Sequence, residues 1–171
     1  PDITVMAPLS GVGDNGYNDE ALAGIFDGMG DSGLELSILR PHSLAQAEAL
    51  AEEWEIGQTG KRRLLILADN EYDGIARSME LPGNLSVLLF EHDGEAMSGN
   101  VASFRISRRG VSYLSGCLAQ GSGKVRIVGA REDNPVIQEA SEAFTAGYRA
   151  KNPTGEVVTH YLADDASGFA M

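Results

Sequence analysis

The chain of 171 residues has one cysteine, three histidines and no apolar run that approaches a membrane span. Each shortage removes a class of function. Cys117 has no second cysteine to pair with, and it falls in a helical pattern with Val111, Leu114 and Leu118. That pattern predicts a core cysteine rather than a nucleophile. His42, His92 and His160 are scattered, with no metal-ligand spacing such as H-E-x-x-H. There is no P-loop, no G-x-S-x-G elbow and no cysteine–histidine pairing. No triad or metal geometry can be assembled, so no catalytic residue, metal ligand or cofactor is assigned. Basic residues are also scarce, 13 against 25 acidic ones, for a net charge of −12. Nucleic acids and anionic membrane surfaces both require a basic footprint, so neither is expected as a partner. The one basic cluster, Lys61-Arg62-Arg63, reads as a solvated edge ahead of a strand. A signal peptide is also missing, and the chain starts at Pro1 rather than a methionine, so any targeting segment is expected to have been removed.

What is present is an alternation of strands and helices. Short apolar runs at Ile3–Ala7, Leu34–Leu39, Leu64–Ala68 and Ser86–Phe90 predict buried parallel strands, with an edge strand at Val101–Ile106. Between them Leu22, Ile25, Phe26 and Met29 recur at helical spacing. So do Leu44, Ala47, Leu50, Ala51 and Trp54, opened by the capping-box spacing of Ser43 and Gln46. A short helix runs through Ile75 and Met79, and another through Val111, Leu114 and Leu118. After the turn-prone Gly121-Ser122-Gly123 the pattern restarts with strand Val125–Gly129. A helix follows, capped by Asn134-Pro135, with Ile137, Ala140, Phe144 and Tyr148 as its inner face; then come strand Val157–Leu162 and the start of a further helix at 167–171. This alternation implies an α/β fold with a doubly wound parallel sheet. Residues 1–121 suffice for one complete α/β lobe, and residues 122–171 supply only a β-α-β piece, the start of a second lobe.

The loop Ser10-Gly11-Val12-Gly13-Asp14-Asn15-Gly16-Tyr17-Asn18 lies between the first strand and first helix, where open α/β sheets place ligands. Asn18 is predicted as the helix N-cap, with Asp19 and Glu20 favourable in the first turn. Tyr17 can stack on a planar base while Asp14 and Asn18 hydrogen-bond the polar edges of a neutral ligand. The other strand tips contribute Asp69 and Asn70, then Glu91, His92 and Asp93. These acceptors suit a hydroxylated or amine-bearing ligand better than a phosphate. The candidate ligand-binding residues are therefore Asp14, Tyr17, Asn18, Asp69, Asn70 and Glu91. Each has a structural alternative, with Asp69-Asn70 as a helix cap and Glu91-His92-Asp93-Gly94 as a solvated turn. A dinucleotide enzyme is the rival reading, since Gly11 to Gly16 spells G-x-G-x-x-G. Against it, Pro8-Leu9-Ser10 lengthens the loop, Asp14 would repel a pyrophosphate, and the second strand ends at Arg40 rather than an acid. Asp69 and Glu91 as an acid–base pair would be the core of an enzymatic reading.

Several stretches together resemble one family, the basic membrane protein (purine nucleoside receptor A-like) lipoproteins. Asp14-Asn15-Gly16-Tyr17-Asn18 resembles the family's Asp-Lys-Ser-Phe-Asn loop. Asn100-Val101-Ala102-Ser103 and Tyr113-Leu114-Ser115-Gly116 resemble its Asn-Val-Ala-Ser strand and Phe-Leu-x-Gly helix. Gly123-Lys124-Val125 through Val128-Gly129 resembles its Gly-Lys-Val-x-x-Val-Gly strand, and Pro135-Val136-Ile137 with Phe144, Gly147, Tyr148 and Asn152-Pro153 resembles the helix after it. The resemblance implies a type I periplasmic binding protein of two hinged α/β lobes, serving an ABC uptake system at the cell envelope with a nucleoside as ligand. Tyr17 would be the stacking face, and Asp14 and Asn18 polar contacts. The chain departs from the family at Asp69-Asn70, where a Gly-Phe is usual, and at Gly110, where an acid is usual. Members are nearly twice as long, so self-association through the incomplete second lobe is a further expectation. A doubly wound nucleotide- or sugar-processing enzyme and a ligand-sensing regulatory domain are the alternatives.

Overall fold

Strand β1 (Ile3–Met6) is an interior strand of the first sheet because both of its faces are apolar: Val5 and Met6 are each fully buried, on opposite sides. The computed structural model describes residues 2–13, 15–57, 60–92, 94, 97, 99–119, 123–165 and 168. They form two units, one running up to Arg105 and one starting at Ile106.

In the first unit β1 leads through α1 (Tyr17–Met29) to β2 (Leu36–Leu39), then through α2 (Leu44–Ile56) to β3 (Arg63–Leu67). A single 3-10 turn (Asn70–Tyr72) runs into α3 (Asp73–Ser78), followed by β4 (Leu85–Phe90) and β5 (Val101–Phe104). All five strands are parallel in the order β2-β1-β3-β4-β5, with β5 at an edge. One face of this sheet packs Met6, Leu65, Leu67, Val87 and Leu89 against Ala47, Ala51 and Trp54 of α2 and Ile75 and Ala76 of α3. The other packs Val5, Ile66 and Phe90 against Ala21, Leu22 and Ile25 of α1. This is the doubly wound three-layer sheet that the apolar runs imply. Ser43 caps α2 as predicted, accepting from the Gln46 amide at 3.2 Å. The Arg63 guanidinium lies 4.6 Å over the Trp54 ring and donates to the Gly57 carbonyl, so part of the basic cluster pins the end of α2.

The second unit holds α4 (Arg109–Leu118), β6 (Lys124–Arg131), α5 (Pro135–Lys151) and β7 (Glu156–Ala163), with β6 and β7 paired in parallel. Asn134 caps α5 through its side-chain oxygen, with proline in the first turn. The sequence predicts a boundary at 121, after α4, but the units divide ahead of α4. The reason is a glycine seam between α4 and α5. A Cβ at Gly116 would overlap the Phe144 carbonyl oxygen and lie 2.7 Å from the Tyr148 nitrogen. A Cβ at Gly147 would overlap the Tyr113 carbonyl oxygen and lie 2.8 Å from its carbon. Because α4 docks through Gly116, its apolar residues point outward, with Val111, Leu114 and Leu118 between 62% and 77% exposed. Cys117 is consequently half-buried rather than a core residue. Residues 121–122 of the predicted boundary turn, and all but Gly168 of the predicted last helix, lie outside the described residues.

Candidate functional site

In the first sheet the chain moves outward in opposite directions from β1, to β2 on one side and β3 on the other. The loops at the carboxyl ends of β1 and β3 therefore flank the crevice where parallel sheets of this kind receive ligands. These are the loop 7–16 and the segment 68–72.

The two loops are tied together. Tyr72 is fully buried, and its hydroxyl donates to the Ala7 carbonyl at the end of β1. The Glu71 carboxylate accepts from the Leu9 amide at 2.7 Å. Burial pushes the Tyr72 phenol well above its ordinary range, and the charges of Glu71 and Asp69 push it further the same way. The phenol is thus a permanent donor at neutral pH. Asp69 accepts from the Glu71 amide at 3.0 Å and caps the 3-10 turn, and Asn70 is the first residue of that turn.

The first loop is braced from the helix that follows it. The Asp19 carboxylate accepts from the Gly13 amide at 2.8 Å and the Asn15 amide at 2.6 Å. Gly13 (φ 104°) and Asn15 (φ 55°) are in the left-handed region, and both of their amides meet that carboxylate. Asn18 is not the helix cap that the sequence predicts. The N-cap is Gly16, without a side-chain hydrogen bond. Asn18 lies inside the first turn and donates back to the Gly11 carbonyl at 2.9 Å and the Ser10 hydroxyl at 3.4 Å. Having the backbone of Gly16 open the helix frees Asn18 to hold the loop. Tyr17, the first residue of α1, is 39% exposed. Asp14 lies outside the described residues, as does Asp93.

Glu91 follows β4, is only 6% exposed and has φ 55°. A positive φ is uncommon backbone for a residue with a side chain. At the next residue, His92 Nδ1 lies 2.9 Å from one Asp73 carboxylate oxygen, and the other accepts from Arg77 Nε at 2.9 Å.

Among the predicted residues, Tyr17 and Asn18 thus open α1 just after the β1 loop, Asp69 and Asn70 belong to the β3 tip, and Glu91 to the β4 tip. The sequence treats Asp19 only as a favourable first-turn acid, and it passes over Glu71 and Tyr72. Their signal was the pair of acids flanking a tyrosine at a strand end, which reads equally well as a helix start. Arg131 at the tip of β6 is also missed. Its side chain is 8% exposed and meets Asp133 through two bonds of 2.9 and 3.1 Å. In the same unit a cavity of about 790 Å³, lined by Arg109, Tyr113 and Glu142 among others, follows the middle of α5 rather than its strand-tip end. Among the described residues no three His, Cys, Asp or Glu side chains cluster to hold a metal ion, and no helix is long and apolar enough to cross a membrane.

Because Gly13 and Asn15 already donate to Asp19, a pyrophosphate at this loop would meet a carboxylate in place of free amides. The dinucleotide reading loses its anchoring contacts.

No family model matches the chain, and no curated protein matches it. Solved structures do. An ABC transporter solute-binding protein from Aeropyrum pernix K1 is similar over 95% of this chain and 48% of its own length, with 20% identity and a TM-score of 0.76. A putative transcription repressor of the LacI family from Corynebacterium glutamicum is similar over 93% of this chain and 54% of its own, with 15% identity and a TM-score of 0.66. A second ABC transporter solute-binding protein, from Conexibacter woesei DSM 14684, is similar over 93% and 53%, with 19% identity and a TM-score of 0.58. The chain spans about half the length of these structures. Its α/β fold, a five-stranded parallel sheet followed by a smaller unit of two parallel strands and two helices, is therefore the type I periplasmic-binding-protein-like fold that these solute-binding proteins and this regulator share.

Proposed function

We propose that this chain is the ligand-binding part of an extracytoplasmic solute receptor that delivers a nucleoside to an ABC permease and performs no chemistry on it. The observation that carries this reading is the first loop. Its inward amides are held by Asp19, while Tyr17 stays partly exposed beside Asn18. A strand-tip surface with an aromatic face, polar acceptors and a filled anion cradle suits a planar, uncharged, hydroxylated ligand over a nucleotide. The contacts assigned are Tyr17 as the stacking face, with Asp14, Asn18, Asp69, Asn70 and Glu91 as polar contacts. Two structural neighbours are themselves described as ABC transporter solute-binding proteins, which supports the receptor role. The likeness of the first loop to the basic membrane protein family supports the choice of a nucleoside and of a lipid-anchored position at the cell envelope. On this reading the second unit also engages another chain.

Titration of the purified chain with adenosine, inosine, guanosine and the pyrimidine nucleosides, followed by calorimetry, tests the reading. Saturable binding of an unmodified nucleoside that weakens on Tyr17→Ala supports it. Conversion to free base overturns it in favour of an enzyme. The LacI-family neighbour favours a second reading, a ligand-sensing regulator on the same fold. Uptake of labelled nucleoside in cells that depends on the gene separates a receptor from a sensor.

A further inference from the structure

Strands β1 and β3 pair in parallel as far as the Ala68 amide, which donates to the Met6 carbonyl at 3.1 Å. The ladder stops there, and Pro8, with no amide, cannot extend it. Two side chains of the turn after β3 take over. Tyr72 donates to the Ala7 carbonyl, and the Glu71 carboxylate accepts from the Leu9 amide at 2.7 Å. Asp69 sets the backbone of this turn by accepting from the Glu71 amide at 3.0 Å. Tyr72 is fully buried and holds the strand end, whereas Glu71 is half-buried and holds the first residues of the loop beyond it.

Leu9 passes that hold on to the candidate ligand contacts. The Gly11 amide donates to the Pro8 carbonyl at 2.8 Å, which closes a turn around Leu9. The Gly11 carbonyl and the Ser10 hydroxyl accept from the Asn18 side chain at 2.9 and 3.4 Å. Tyr17 stands directly before Asn18 at the start of α1. A line of hydrogen bonds thus runs from the β3 tip through the loop to the residues proposed to receive the ligand. Its first member joins a carboxylate to an amide 62 residues away, and charge makes it the strongest of the line.

We propose that Glu71 is a positioning residue, which acts through Leu9 to hold the first loop where Tyr17 and Asn18 can receive the ligand. Its effect on binding rests on the nucleoside-receptor reading, but its hold on the loop does not. A binding arrangement present only part of the time lowers affinity by that fraction. The loss falls on association, because the complex, once formed, keeps the same ligand contacts. Removing a direct contact acts instead on dissociation. The hydrogen bond needs an acceptor oxygen rather than a charge, so glutamine can replace Glu71 and alanine cannot.

Stopped-flow binding of adenosine to the full chain tests it. Glu71→Ala is expected to slow association about tenfold, while dissociation stays within about twofold of wild type. Glu71→Gln, whose amide oxygen still accepts, should regain most of the association rate. Glu71→Leu, which fills the space without an acceptor, replaces the alanine variant if that one does not fold. Amide hydrogen exchange without ligand is the second readout. Glu71→Ala should speed exchange at Gly11 and Gly13, whose own amides bond to Pro8 and Asp19, and Glu71→Gln should not. Faster dissociation with unchanged association would make Glu71 a direct contact and overturn the inference. So would equal loss in the glutamine and alanine variants, or exchange altered at Leu9 alone. If the wild-type chain binds no adenosine, the ligand reading loses that nucleoside, and exchange alone decides whether Glu71 holds the loop.

Discussion

Replacing Gly147 with alanine should destabilise the second unit, although alanine is the better helix former. In an open helix the exchange stabilises by about 0.5–1 kcal/mol. At Gly147 the new methyl would overlap the Tyr113 carbonyl oxygen and lie 2.8 Å from the Tyr113 carbon. Carbon atoms rest at about 3.5 Å or more, so α4 and α5 must part by at least about 0.7 Å. The seam is closely packed on both sides, since Gly116 stands 2.7 Å from the Tyr148 nitrogen by the same measure, and separation is felt along its whole length. Overpacking of this kind costs about 1–3 kcal/mol, which exceeds the gain in helix propensity. A net loss of about 1–2 kcal/mol is expected, or roughly 10 °C in Tm for a unit of this size. Gly24→Ala is the control: Gly24 lies within α1, with no atom within 4 Å of the added methyl. It should stabilise by about 0.5–1 kcal/mol. Urea unfolding followed by circular dichroism reads both. Equal or greater stability of Gly147→Ala, with an unchanged m-value, would refute the glycine seam.

Tyr72→Phe removes the donor to the Ala7 carbonyl and should cost about 1–2 kcal/mol in urea unfolding, more than the loss of an exposed hydroxyl. Since burial and then the Glu71 and Asp69 charges raise this phenol in the folded state, its contribution is complete below about pH 10, the ordinary value. It is lost as pH rises above that, because the unfolded chain releases its proton first. Tyr72→Phe should therefore flatten the alkaline fall in stability, and an unchanged alkaline profile would count against the buried phenol. Asp19→Ala should speed hydrogen exchange at Gly13 and Asn15 about tenfold or more, as two charge-assisted bonds are lost, with core amides unaffected. No change there would mean that the carboxylate does not hold the loop.

The sheet was legible because central parallel strands have no polar face. Leu64–Leu67 and Val87–Phe90 announce themselves as apolar runs, and the helices between them fix the parallel connections. Trp54, Ala51 and Ala47 show the inner face of α2 equally plainly. Helix α4 misled because it docks through Gly116, a residue with no side chain to register in a hydrophobic pattern, while Val111, Leu114 and Leu118 mimic an inner face. The first loop was half legible. Asparagine before two acids fits a cap, yet the helix opens two residues early at Gly16, which sends Asn18 and Asp19 back toward the loop. Nothing in the letters of Glu91 signals a left-handed backbone, which arises from how the chain leaves β4.

Native mass spectrometry of the purified chain with a panel of nucleosides tests the central claim most directly. The account expects one unmodified nucleoside per chain, its retention reduced about tenfold or more by Tyr17→Ala, as loss of a stacking face predicts. A folded chain that retains no nucleoside, or one that releases free base, would contradict it.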